Sequence, residues 1–165
     1  MGKGGIEESW LARAKDFVDS TNAPIVLTDA ANGAIVHCNA PWVAMCGYTV
    51  DEAVGKTNAE LLQGAETDLG AARLMVAALR GGRTKARAVL RNYRKDGTPF
   101  WNDLLVAHVA TGESNETRGF DVAILREAAD AFDVDKAAES TWFRVKRRLA
   151  PFTGEAREGG LLAGW

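Results

Sequence analysis

The second half of this chain runs through three extended stretches in succession: Thr84–Tyr93, Thr98–Val109 and Arg118–Arg126. Turn signals at Asp96-Gly97 and Gly112–Asn115 part them, so they read as consecutive antiparallel strands. Upstream, Ile25-Val-Leu-Thr-Asp29 and Ala34-Ile-Val-His-Cys38 form two more strands around an Asn32-Gly33 hairpin signal. The stretch between the two groups is helical. Two strands, a set of helices and three strands give an α+β domain, with an antiparallel sheet that buries one face under helices.

Residues 6–19 read as a helix whose Trp10, Leu11, Ala14, Phe17 and Val18 form one apolar stripe. Ser20-Thr-Asn-Ala-Pro24 breaks it. A second helix opens at Asn39-Ala-Pro-Trp, with Asn39 or Ala40 near the cap and Pro41 in the first turn. Thr49 and Glu52 are spaced as a capping box for a third. Thr67 to Leu79 is the clearest helix of the domain, closed by Gly81-Gly82. A last helical pattern, about Ala131–Leu149, puts Val134, Ala138, Trp142, Val145 and Leu149 on one face, and Pro151 stops it. The glycine-rich tail to Trp165 reads as loose.

At 165 residues the natural expectation is one domain with extensions at its ends. A net charge of −2 calls for neither nucleic acid nor an anionic membrane. Arg144, Lys146, Arg147 and Arg148 complement the dipole at the end of the last helix. No apolar run reaches about 18 residues, so no membrane span is expected. The start, Met-Gly-Lys-Gly-Gly-Ile, is not a signal peptide and lacks the Ser or Thr of a myristoylation motif at position 6; the expected location is cytoplasmic. Cys38 and Cys46 have no metal or redox spacing, and His37 and His108 have no ligand partner at metal spacing. No catalytic motif is present, so the chain is not expected to be an enzyme.

Two segments carry a resemblance. Gly55-Lys-Thr-Asn-Ala-Glu-Leu-Leu-Gln-Gly-Ala-Glu-Thr-Asp68 and Asn92-Tyr-Arg-Lys-Asp-Gly-Thr-Pro-Phe-Trp-Asn102 resemble the flavin-binding half of a light-oxygen-voltage (LOV) domain, a branch of the PAS sensor family. The likeness covers about residues 23–126. It implies a PAS fold, a five-stranded antiparallel sheet in order 2-1-5-4-3. It divides the chain into a flanking helix at 1–22, a PAS core at 23–127, an amphipathic helix at 128–150 and a tail at 151–165. Asn92 and Asn102 match the asparagines that grip the pyrimidine edge of flavin. Carboxamides suit that edge because each offers both an acceptor and donors. Residues ten apart face each other if the turn is Asp96-Gly97-Thr98. Asn58 and Gln63 match residues near the ribityl chain, Thr28 lies where the first strand lines the pocket, and Asp121 matches the last-strand glutamine that bonds flavin.

The departures are equally specific. Counted back from Gln63, Ala59 replaces the photoreactive cysteine and Glu60 a phosphate-binding arginine; anchored on Gly55 instead, Asn58 takes the cysteine position. Val76 takes the place of a second arginine, with Arg73 and Arg80 a turn to either side. The segment from Gly55 to Gln63 is one residue longer than the family spacing. The resemblance thus implies a sensory module without a cysteinyl–flavin adduct, holding flavin mononucleotide or riboflavin non-covalently. The alternative is a cofactor-free dimerisation or protein-interaction domain, and a small flavin-dependent oxidoreductase is a distant third. Trp101, next to pocket-facing Asn102, must point to the outer sheet face. Trp10 and Trp142 are expected to join it there, in one chain or across a homodimer that signals to a downstream effector.

Overall fold

The computed structural model describes residues 4–110 and 119–131. The amphipathic segment beyond residue 131, with Trp142 and the tail, lies outside the described residues, as does the side chain of Trp10.

Helix α1 (Gly4–Asp19) precedes the hairpin of β1 (Ile25–Asp29) and β2 (Ile35–Cys38). Four helices follow: α2 (Ala40–Cys46), α3 (Val50–Ala53), α4 (Asn58–Leu62) and α5 (Leu69–Arg80). Then come β3 (Lys85–Tyr93), β4 (Pro99–Ala110) and β5 (Gly119–Ala128). All neighbouring strands are antiparallel, in the order β2-β1-β5-β4-β3. The expected fold is therefore the observed one.

The period of two along each strand sorts side chains onto two faces. Val26, Phe100, Val106, Ala123 and Leu125 face inward and pack with Trp42 of α2 and with Leu61 and Leu62 of α4. Ile25, Leu27, Leu105, Ala107, Val109, Val122 and Ile124 face outward, where Ala14 and Val18 of α1 cover them. The first helix thus docks on the outer face. Trp101 stands further along that face, partly buried, with the Arg91 guanidinium 5.0 Å from its ring centroid.

One buried asparagine ties these layers together. Asn39 Oδ1 accepts from Ile25 N at 2.9 Å and Trp42 N at 3.2 Å, while its amide donates to Val18 O at 3.0 Å and Ala23 O at 2.8 Å. It caps α2 and holds the end of α1 against the start of β1 in the same contact. A hydrophobic residue there would leave several buried backbone groups unpaired.

One local expectation is corrected. The β3–β4 loop is Lys95-Asp96-Gly97, not Asp96-Gly97-Thr98: Arg94 pairs with Thr98 across it. Asp96 Oδ1 accepts from Thr98 N at 2.9 Å, and Gly97 supplies a left-handed φ of 87°, the geometry of a three-residue hairpin loop. Before α4 the chain turns and is capped. Gly55 turns the chain at φ 87°, and Thr57 caps α4.

Candidate functional site

The one-residue shift of the loop decides how the two asparagines meet. Asn92 pairs with Phe100, and Asn102 with Leu90, so the two are offset diagonally rather than opposed. A shift of one loop residue moves the pairing by two, which keeps both side chains on the inner face. There Asn102 Nδ2 donates to Asn92 Oδ1 at 2.8 Å, and Asn92 Nδ2 donates to Arg91 O at 3.3 Å. Both residues are buried.

That bond leaves Asn102 Oδ1 buried without a partner, and Asn58 Oδ1 and Trp42 Nε1 are in the same condition. Such an atom costs about 1–3 kcal/mol when nothing satisfies it. Asn58 lies three and four residues before Leu61 and Leu62, whose buried side chains mark the inward face of α4. Two acceptors and one donor thus stand unpaired in the layer between helices and sheet. This set fits a flat heteroaromatic ring whose edge alternates carbonyls, an N–H and a ring nitrogen, as a flavin edge does.

The other candidate residues are placed as follows. Thr28 is buried on β1, opposite Asp121. Gln63 is half-buried at the end of α4, where its backbone N–H donates to Ala59 O at 3.2 Å. Asp121 faces inward but is paired with His108, Nδ1 to Oδ1 2.9 Å. The residue opposite Asn102 in the β4–β5 ladder is Glu127, with His108–Asp121 six residues further along. Glu127 was not singled out from the sequence. Its signal is the ladder register, which depends on how the chain passes from β4 to β5.

Ala59 is exposed. Glu60 is exposed at the start of α4. It closes a capping box with Thr57, whose backbone N–H and then hydroxyl hold its carboxyl below the usual carboxylate range. Val76, Arg73 and Arg80 are all exposed on α5. Cys38 and Cys46 are buried in the inner core, and burial pushes their thiols up to about 11 and about 12 respectively. At neutral pH both are thiols, not nucleophilic thiolates. Among the described residues no cluster of three metal-ligating side chains occurs.

Comparison with known proteins matches residues 22–127 to the model of the PAS domain. The chain is 36% identical over 97 residues to Phototropin-2 of Oryza sativa subsp. japonica, a match covering 58% of this chain and 10% of that one. It is 36% identical over 132 residues to a blue-light photoreceptor of Listeria innocua serovar 6a, covering 77% of this chain and 49% of that one. The chain therefore spans half or less of the length of these relatives. Among solved structures, it is similar to the LOV domain of a blue-light activated histidine kinase from Erythrobacter litoralis. That match has a TM-score of 0.56 at 27% identity and covers 64% of this chain and 94% of the other.

Proposed function

The chain belongs to the PAS domain family, and from that premise we propose that it is a sensory module of the LOV type that holds a flavin without forming a covalent bond to it. One observation carries the reading: the buried Asn102–Asn92 pair, with Asn102 Oδ1 left to accept from something else. Asn92 and Asn102 hold the polar edge of the ring, and Asn58 and Gln63 lie toward its side chain. Thr28 lines the β1 wall. The flavin itself, when bound, supplies visible absorption and redox chemistry.

The same residues argue against an adduct. Residues 55–68 contain no cysteine, and Ala59 and Asn58 occupy the two alternative positions for one. The phosphate end is also bare of arginine from α4. Riboflavin is therefore expected to bind about as well as flavin mononucleotide. We read the chain as a non-enzymatic cytoplasmic module that passes a signal to an effector, with the flanking helices and the outer sheet face as its dimer surface.

A cofactor-free docking module is the second reading, favoured by the complete burial of Trp42 in the inner layer. The absorption spectrum of the purified, riboflavin-supplemented protein separates the two. A structured band near 450 nm supports the flavin reading, and a flat trace after removal of free riboflavin supports the second. Illumination then tests the chemistry. A bleached band replaced by one near 390 nm, recovering in the dark, would show an adduct and overturn the non-covalent reading.

A further inference from the structure

The end of the inner face that carries the asparagines also carries an ion pair. Arg94 Nη2 lies 2.6 Å from Glu127 Oε2. The guanidinium carbon of Arg94 stands 4.6 Å from the centroid of the Phe100 ring. Phe100 is the ladder partner of Asn92, and Glu127 is the ladder partner of Asn102. Glu127 is thus a direct ladder partner of Asn102, and Arg94 stacks on the ring of the residue paired with Asn92. Nothing in the cap or turn chemistry of this hairpin requires the pair, because Asp96 and Gly97 already define the loop.

We propose that Arg94 and Glu127 form a charge pair that sets the redox preference of a ring held on Asn92 and Asn102. The inference rests on the flavin reading above. Two electrons and one proton taken up by a neutral oxidised flavin give a reduced ring with one negative charge. A nearby cation favours that form and a nearby anion disfavours it. Paired, Arg94 and Glu127 largely cancel. Removal of either leaves the other to act alone, so the two substitutions must shift the potential in opposite directions. Arg94 is partly exposed and Glu127 is exposed, so solvent and salt keep the effect moderate.

The test uses the full chain loaded with riboflavin and reduced by dithionite alongside an indicator dye. Glu127→Gln leaves Arg94 unbalanced. It should tighten binding of the reduced ring over the oxidised one about tenfold, a rise of about 30 mV for a two-electron couple. Arg94→Gln should lower the potential by a similar amount, and the double variant should return near the parent value. Arg94→Lys keeps the charge and should stay near the parent, which covers the case where Arg94→Gln fails to fold. Asp19→Asn, at the outer-face helix, should move nothing. Shifts of the same sign, no shift, or an equal shift in Asp19→Asn would overturn the inference while leaving a coloured protein and the flavin reading intact. A protein that takes up no riboflavin overturns both.

Discussion

A β-carbon on Gly64 would collide with the Tyr93 ring. Tyr93 is fixed there: its hydroxyl oxygen accepts from Glu66 N at 3.0 Å. Thr67 Oγ1 accepts from Gly64 N at 2.9 Å and donates to Arg91 O at 2.6 Å. The Gln63-Gly-Ala-Glu-Thr67 and Asn92-Tyr93 motifs are thus two halves of one contact that seats the α4–α5 loop on β3. Gly64→Ala should force the ring or the loop to move and cost about 1–3 kcal/mol. Thermal unfolding should show the loss, and Tyr93→Leu in the same chain should recover part of it. An unchanged midpoint for Gly64→Ala would mean that the ring yields freely.

The unpaired carbonyl predicts an asymmetric result at Asn102. Asn102→Leu removes one orphaned acceptor but takes the donor from Asn92 Oδ1, so the two effects offset and ligand-free stability should change by less than about 1.5 kcal/mol. Riboflavin affinity should fall at least about tenfold, the loss of about 1.4 kcal/mol from a single bond. Calorimetric titration and thermal melts of the same sample decide it. Intact binding with reduced stability would mark Asn102 as a structural residue only.

The sequence pattern was enough for the elements and, through the resemblance, for their order in the sheet, because strand alternation and helix caps are local signals. Asn39 at a cap and the Thr49–Glu52 box were readable for that reason. The ladder register was not. It turns on whether Asp96 sits first or second in a three-residue loop, and both choices keep the asparagines on one face. Glu127 stayed hidden for the same reason, since its seat opposite Asn102 depends on the β4–β5 connection rather than on any motif. The role of Glu60 was obscured by the resemblance. The Thr57–Glu60 spacing marks a capping box, whereas alignment marks a lost phosphate ligand.

That double meaning gives a prediction at α4. Glu60→Arg with Val76→Arg should raise affinity for flavin mononucleotide more than for riboflavin, because a guanidinium bonds phosphate directly. The same change removes the carboxylate that accepts from Thr57 N at 2.7 Å. The double variant should therefore melt earlier than Val76→Arg alone. Equal gains for both ligands would show that neither position reaches a phosphate.

On the outer face, Asp103 is fully buried between two arginines. Arg87 Nε and Nη2 reach its two oxygens at 2.8 and 2.6 Å, and Arg126 Nη2 lies 3.1 Å away. Burial works against its ionisation, but bonds and charge from Arg87 and then Arg126 outweigh burial and hold the carboxyl below its ordinary value. A depressed carboxylate contributes stability above its unfolded pKa, about 3.9, and loses it as pH falls through the lower folded value. Asp103→Asn should flatten the acid end of a melting-temperature profile between pH 2 and 7. Asp103→Ala should cost about 3 kcal/mol at pH 7, since it removes a fully buried carboxylate that two guanidinium groups bond. Parallel acid profiles for the parent and Asp103→Asn would show that other carboxylates set the acid limit.

The last prediction concerns the first helix. Ala14 and Val18 are fully buried against Ile25, Leu27, Leu105, Ala107 and Val122, and Leu11 and Phe17 pack at the edge of the same cluster. Asn39 and the His37–Asp19 contact, 2.7 Å, pin the end of the helix to β1 and β2. Removal of residues 1–19 would bare an apolar band running across β1, β5 and β4. A contiguous exposed face of that kind promotes association. The truncated protein should therefore show higher scattering mass and faster proteolysis than the parent. Trp101→Ala should leave α1 in place, because Trp101 stands apart from that cluster and packs under Arg91. If the truncated chain stays monodisperse and protease-resistant, the outer face is closed by something other than α1, and the helix loses its assigned part in the dimer surface.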